Sequence, residues 1–339
     1  MSELRILKTL PGADNFSLFE DFPKQIYNEN SPRFMQGNDT VETYLEGCYV
    51  IFKSDAVVGR FAFYENPLLE YKNEKVCTIG SFECVNDNIV SQYLLTSAAN
   101  IARSKGYKRI IGPMEGSTWN SYRFSLHNEY SNFFMETYHH DYYPNQFENF
   151  GFESMANYIS VLDQLDSSDD LKENLDEIEN GFKKQGALIR NLDLGNLENE
   201  LYKIAKFNNE AFKDNFLFTP MVEKDFVEKY IKYKQYLNPE LIWIVEDENQ
   251  SIHALSFSIK DFLNTTEESI IVKSLARRKD SKFKGIGLFL ATKTRQLAKI
   301  NGCKSLIHAF ILENNASVNI SKKFNTDSYK SYSLYCYEL

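Results

Sequence analysis

The sequence predicts two α/β domains in tandem. Three observations carry this: a length of 339 residues, a composition able to fill two cores, and a unit of strand, loop, helix and strand that occurs in each half. Hydrophobic residues make up 43% of the chain and aromatics 14%, with only 15 Gly and 8 Pro. That balance excludes disordered, collagen-like and low-complexity chains.

The repeat has an offset of 196 residues. Leu94–Ile111 aligns with Leu290–Ile307: Leu94, Thr96, Ala102, Gly106, Lys108 and Ile111 recur as Leu290, Thr292, Ala298, Gly302, Lys304 and Ile307. Val90, Tyr93, Leu94 and Ile101 match Ile286, Phe289, Leu290 and Leu297, spacings that put each set on one side of a helix. Lys293 falls within the second stripe and is expected to snorkel out of it. Gly106 and Gly302 stand where a helix ends. Strand-like runs follow at Tyr107–Ile111 and Cys303–Ile311, and others precede the helices at Val76–Phe82 and Ser269–Leu275.

Between the halves lies the polar stretch Asp163–Asp170, where Ser167 and Ser168 are placed to cap a helix over Asp170–Lys184. Gly186 ends that helix before a strand at Ala187–Leu192. The domains are therefore drawn as 1–165 and 166–339.

A net charge of −9 without a basic tail argues against nucleic acid as a partner. No apolar run approaches a membrane span, and MSELRILKTL lacks a secretory signal's apolar core and cleavage site. Five scattered cysteines without a CxxC predict neither a disulfide framework nor a zinc cage, and point to the cytoplasm. His139-His140-Asp141 predicts no metal site either, because adjacent side chains of an extended segment diverge.

The two loops before the repeated helices differ in charge. Residues 277–284 hold Arg277, Arg278, Lys279, Lys282 and Lys284 against the single acid Asp280, and Gly285 and Gly287 then open the helix. Glycine permits close backbone approach, and the first N–H groups of a helix lack intrahelical partners, so the segment reads as an anion cradle suited to a diphosphate. Residues 81–88 hold Glu83 and Asp87 with no base, and Ile89 and Ser91 stand where the glycines would be. Only the second half is expected to bind the anion.

Lys282-Phe283-Lys284-Gly285-Ile286-Gly287 resembles the acyl-CoA loop of the GNAT acetyltransferase superfamily, Q/R-x-x-G-x-G/A, with Lys as a mild departure at the first position. Glu313-Asn314-Asn315-Ala316-Ser317 resembles that family's ENNxAS element, and Lys323-Phe324-Asn325 stands where a Gly-Phe pair is usual. The resemblance spans roughly Gly186–Leu339. The first half resembles a degenerate copy: it keeps a closing Gly151-Phe152 pair and carries Gly112-Pro113-Met114 with Ser117, Thr118 and Asn120, as in a bacterial group of tandem GNAT-like proteins.

The resemblance implies two tandem GNAT-like domains, each a mixed central sheet flanked by helices, with acetyl-CoA or another acyl-CoA as co-substrate in the second and no metal. Lys282 to Gly287 would hold the pyrophosphate, Leu275, Ala276 and Arg277 would pair with the pantetheine arm, and Asn314 and Asn315 would flank the CoA. The activity implied is direct N-acyl transfer to a small-molecule or peptide amine. For the base, the sequence offers Glu267 and Glu268, or Asp261. Where the family places an acidic tyrosine this chain has Ser321, leaving Tyr329, Tyr332 or solvent to protonate the thiolate. That departure keeps open a non-catalytic acyl-CoA-binding or interaction protein. An aminoacyl-tRNA-dependent tandem ligase is disfavoured by the charge. The acceptor, the acyl-chain length and the oligomeric state are not encoded legibly.

Overall fold

A computed structural model describes residues 3–35, 40–126, 129–165, 174–313, 320–324 and 326–339. They form two compact units, each discontinuous in sequence. The first comprises Met1–Asn157, Leu217–Thr219 and Ser331–Leu339, the second Tyr158–Phe216 and Pro220–Lys330. A single cut at 165/166 therefore does not describe them: each unit includes a strand segment from beyond that cut.

In the first unit, β1 (Leu4–Thr9) leads through three single-turn helices, α1 (Ser17–Glu20), α2 (Pro23–Ile26) and α3 (Pro32–Met35), into a hairpin of β2 (Leu45–Lys53) and β3 (Ala56–Tyr64). A minor hairpin, β4 (Glu70–Tyr71) and β5 (Glu74–Lys75), precedes β6 (Cys77–Cys84), α4 (Asn88–Ser104) and β7 (Arg109–Gly112). Then come β8 (Phe124–Ser125), α5 (Tyr143–Phe150) and β9 (Glu153–Gln164). The sheet runs β1-β2-β3-β6-β7, antiparallel except that β6 and β7 are parallel. The C-terminal end of the chain closes it, Tyr335 pairing with Gly112 and Cys336 with Ile111.

Of the stripe predicted on α4, Val90 and Leu94 are buried on Ile51, Phe61, Phe63 and Ile79, and Tyr93 and Ile101 are half-buried against the same core, which Leu95, Ala98 and Ala102 complete. Burial of each Val or Leu side chain contributes about 2 kcal/mol. The aromatic run before Phe152 is core as well, with Tyr143, Phe147 and Phe152 packed around Phe82 and Phe124. Gly151 caps α5 at φ 109°, a left-handed conformation that disfavours residues carrying a Cβ.

In the second unit, α6 (Leu175–Lys184), β10 (Leu188–Asn191), α7 (Leu197–Ala211) and α8 (Glu223–Lys232) precede β11 (Ile242–Glu246), β12 (Ile252–Lys260), β13 (Ser269–Arg277), α9 (Ile286–Ile300) and β14 (Ser305–Leu312). The last strand is β15 (Thr326–Glu338), whose residues up to Lys330 belong to this unit. Strand order is β10-β11-β12-β13-β14, again with one parallel pair, β13 with β14. The β9 segment from Tyr158 closes it against β14. Order and direction thus repeat between the units, as the duplication predicts.

Two local expectations change. Ser167 and Ser168 lie outside the described residues, and α6 is capped by Asn174, whose side chain accepts from the Glu177 N–H. Lys293 does not snorkel into water. Its ammonium lies 2.6 Å from Glu179 Oε2 and 4.6 Å from the centroid of the Trp243 ring, so the charge is satisfied beside the apolar stripe.

Candidate functional site

Helices α8 and α9 lie on opposite faces of the second sheet, because adjacent strand residues point to opposite faces. Ser256 of β12 shares a hydrogen bond with Thr294 of α9, whereas its neighbour Phe257 packs on Tyr230 of α8. Between these faces the sheet opens. Parallel pairing of β13 with β14 runs from Ser269–Ser305 to Val272–His308 and stops. On its other side β13 stays paired with β12 as far as Arg277. Residues 273–277 therefore offer one backbone edge with no strand partner among the described residues, about 13 Å of strand.

A β-bulge marks the start of this opening. Phe257 pairs with Ser274 and Ser258 with Val272, which leaves Lys273 as the extra residue. The corresponding bulge in the first unit lies between the pairs Arg60–Glu83 and Ala62–Gly80, and contains Ser81 at φ 46°. These pairings relate β6 to β13 by an offset of 192, so Ser81 matches Lys273 and Glu83 matches Leu275. The comparison of 81–88 with 277–284 is corrected accordingly. Glu83 is a strand residue, and the loop after β13 is four residues longer than its counterpart.

That longer loop is anchored by its apolar residues. Phe283 is fully buried with its ring 5.0 Å from His253, and Ser281 shares a hydrogen bond with His253 Nδ1. Ile286 is also fully buried, so the side chains of Phe283 and Ile286 serve the core rather than a ligand. Gly285 caps α9 at φ 85°, and a Cβ there would meet nothing within 4 Å. Among the described residues a Cβ on Gly287 would meet only Ile320 Cδ1, at 3.7 Å. The N–H groups of Gly285, Gly287 and Leu288 have no backbone acceptor among the described residues and no capping side chain. Such amides, aligned with the helix dipole, favour an anion.

The loop's charge is partly spent. Arg278 pairs with Asp280 at 2.6 Å and Lys279 with Asp214 at 2.6 Å, while Arg277, Lys282 and Lys284 make no ion pair among the described residues. All three of these side chains are exposed.

The equivalent end of α4 is closed. Asp87 is its N-cap and accepts from the N–H groups of Ile89, at 2.9 Å, and Val90, at 3.4 Å, while pairing with Lys53. Glu83 does not act at that mouth; it is buried between Arg33 and Arg60. Asp87→Ala should cost about 1 kcal/mol of stability, read as a lowered urea midpoint. A cavity in the first unit lined by Glu129, Asp141 and Glu148 has no basic residue among the described residues.

The carboxylates expected as bases are elsewhere. Glu267 and Glu268 are exposed just before β13, Glu268 pairs with Lys260 at 2.6 Å, and five residues of strand, about 16 Å, separate Glu268 from the bulge. Asp261 is buried but accepts from the Leu263 N–H and the Ser269 hydroxyl, holding the turn before β13. Tyr329 is half-buried in β15, and Tyr332 belongs to the first unit, where it donates to Glu136. Ser321 is buried. Asn314 and Asn315 lie outside the described residues. His308 is buried and stacked on Phe324. His139 accepts from the Ser125 N–H, and His140 stacks between Tyr27 and Tyr142.

Sequence reasoning missed Tyr230 and Lys273. The Lys273 ammonium donates to the Tyr230 hydroxyl at the bulge. Burial pushes this phenol up, but the neighbouring Lys273 and Lys229 cations outweigh it and hold the phenol below its ordinary value of 10.0. The two are 43 residues apart, so no sequence spacing could have found them.

No protein-family model and no curated protein matches the sequence. Solved structures do share its fold. A GCN5-related glucosamine N-acetyltransferase region of a fungal multi-domain GH3 β-N-acetylglucosaminidase superposes with a TM-score of 0.60 at 13% identity, over 99% of this chain. This chain spans 38% of that protein's length. A GCN5-related N-acetyltransferase from Sphaerobacter thermophilus gives 0.53 at 9% identity over 99% of this chain and 95% of its own. A tandem GNAT protein from the clavulanic acid biosynthesis pathway gives 0.53 at 8% identity over 99% and 98%. The fold is that of tandem GNAT acetyltransferases. Among the described residues no helix is long and apolar enough to cross a membrane.

Proposed function

We propose that the second unit binds acetyl-CoA or another acyl-CoA, and that the protein transfers the acyl group to an amine of a small molecule or peptide. One observation carries the reading: among the described residues, α9 opens on amides without acceptors beside a β13 edge without a strand partner. The amides of Gly285, Gly287 and Leu288 receive the diphosphate, with Lys282 and Lys284 adding positive charge. The edge from Arg277 through Ala276 and Leu275 receives the amide-bearing arm as a strand receives a neighbour. Ligand and strand edge then share hydrogen bonds, and the reactive end lies toward the bulge.

Calorimetric titration with CoA, followed by thiol release from acetyl-CoA across an amine panel, tests this. CoA binding with amine-dependent thiol release is expected. No measurable CoA binding overturns the reading. Binding without thiol release favours a non-catalytic acyl-CoA-binding protein, a reading supported by the surface placement of Glu267 and Glu268.

A further inference from the structure

We infer that Tyr230 and Lys273 form the proton-transfer pair of this site, with Tyr230 as the catalytic base and acid and Lys273 as its positioning residue. The inference rests on the acyl-CoA reading and adds the group that handles the proton. Three placements converge on it. Lys273 is the bulged residue where β13 leaves β14, next to the last pair Val272–His308. Its ammonium donates to the Tyr230 hydroxyl and lies 4.9 Å from the ring centroid, so the phenol is fixed at the mouth of the opening. Tyr230 is further held by Phe226, at 4.5 Å, and Phe257, at 5.6 Å. Finally, α8 lies on the face opposite α9, so a thioester whose diphosphate sits at the start of α9 passes through the opening and presents its carbonyl carbon to the Tyr230 side.

Among the described residues, the charged groups acting on this hydroxyl are Lys273 from β13 and Lys229 from its own helix, and both are cations. They favour the phenolate, the form a base requires. In the reaction the amine nitrogen attacks the thioester carbonyl carbon, forming the C–N bond. Its excess proton passes to the Tyr230 phenolate, the C–S bond breaks, and the departing thiolate takes the proton from the phenol. Products are the amide and CoA thiol, and the phenolate is restored.

The test uses the full chain and the variants Tyr230→Phe and Lys273→Met. Ultraviolet difference titration against Tyr230→Phe isolates one tyrosine, which should titrate below its ordinary value and move upward in Lys273→Met. With acetyl-CoA and a panel of glucosamine, L-lysine, spermidine and glycine amide, Tyr230→Phe should lower kcat at least ~100-fold. CoA affinity should stay within a few-fold, and the Lys273→Met pH profile should shift to higher pH. A Tyr230 that titrates at or above its ordinary value, or a Tyr230→Phe variant with unchanged kcat, overturns the assignment. CoA binding without thiol release from any of these amines overturns it too, and leaves the CoA reading standing. Failure of the wild type to bind CoA removes both.

Discussion

Replacing Gly287 with tryptophan is expected to raise the Kd for CoA at least ~100-fold, about 2.8 kcal/mol at 1.4 kcal/mol per tenfold, while the protein stays folded. The separation of binding from folding follows from the space around the residue. Among the described residues a Cβ at Gly287 meets only Ile320 Cδ1, at 3.7 Å, an ordinary contact, so a side chain there is expected to crowd the helix start without a clash in the core. Glycine is also the poorer helix former, so the substitution does not weaken α9. Gly285→Val acts differently. Its φ of 85° imposes about 1–2 kcal/mol of strain on a residue carrying a Cβ, so binding and melting temperature should both fall. Ile89→Trp is the matched control: Ile89 is 68% exposed beside amides already capped by Asp87, and CoA affinity should not change. Ser91 cannot serve as that control, because it is fully buried and its replacement would disturb packing. Calorimetry and melting curves on the three variants check the set. CoA binding by Gly287→Trp at wild-type affinity would remove the helix start from the site.

Glu83→Ala should destabilise the first unit by about 3–5 kcal/mol, the usual cost of removing one member of a buried charge pair. Glu83 is 3% exposed and accepts from Tyr27, at 2.6 Å, Tyr143, at 2.8 Å, and Arg33 Nε, at 2.9 Å; Arg60 lies 3.6 Å away. Truncation leaves Arg60, itself 5% exposed, without its countercharge. Burial pushes the Glu83 carboxyl up, but Arg33, Arg60 and the two phenols outweigh it and hold it below its ordinary value of 4.5. A depressed carboxylate stabilises the fold fully above its unfolded value, and that contribution is lost as pH falls through the folded one. Urea midpoints measured from neutral pH downward should therefore converge for wild type and Glu83→Gln only below the ordinary carboxylate value. Equal midpoints at neutral pH would show that the network does not hold the unit together.

Much of this organisation is local and could be read from residue order. Helices α4 and α9 announce themselves through stripes ending at Gly106 and Gly302, and the contrast between Gly285 and Asp87 is written in adjacent residues. Glycine, charge and helical period act over a turn or two of chain, so the sequence alone determined two α/β repeats and, in the second, a helix that starts on a glycine without a capping side chain. Strand partners, bulges and buried pairs are chosen by what packs across the sheet, over separations that periodicity does not see. Only the tertiary structure decided that Tyr335 closes the first sheet against Gly112, while Val161 pairs with His308 in the second. It likewise withdrew Glu83 from its expected loop, left Glu267 and Glu268 on the surface, and brought Lys273 to Tyr230.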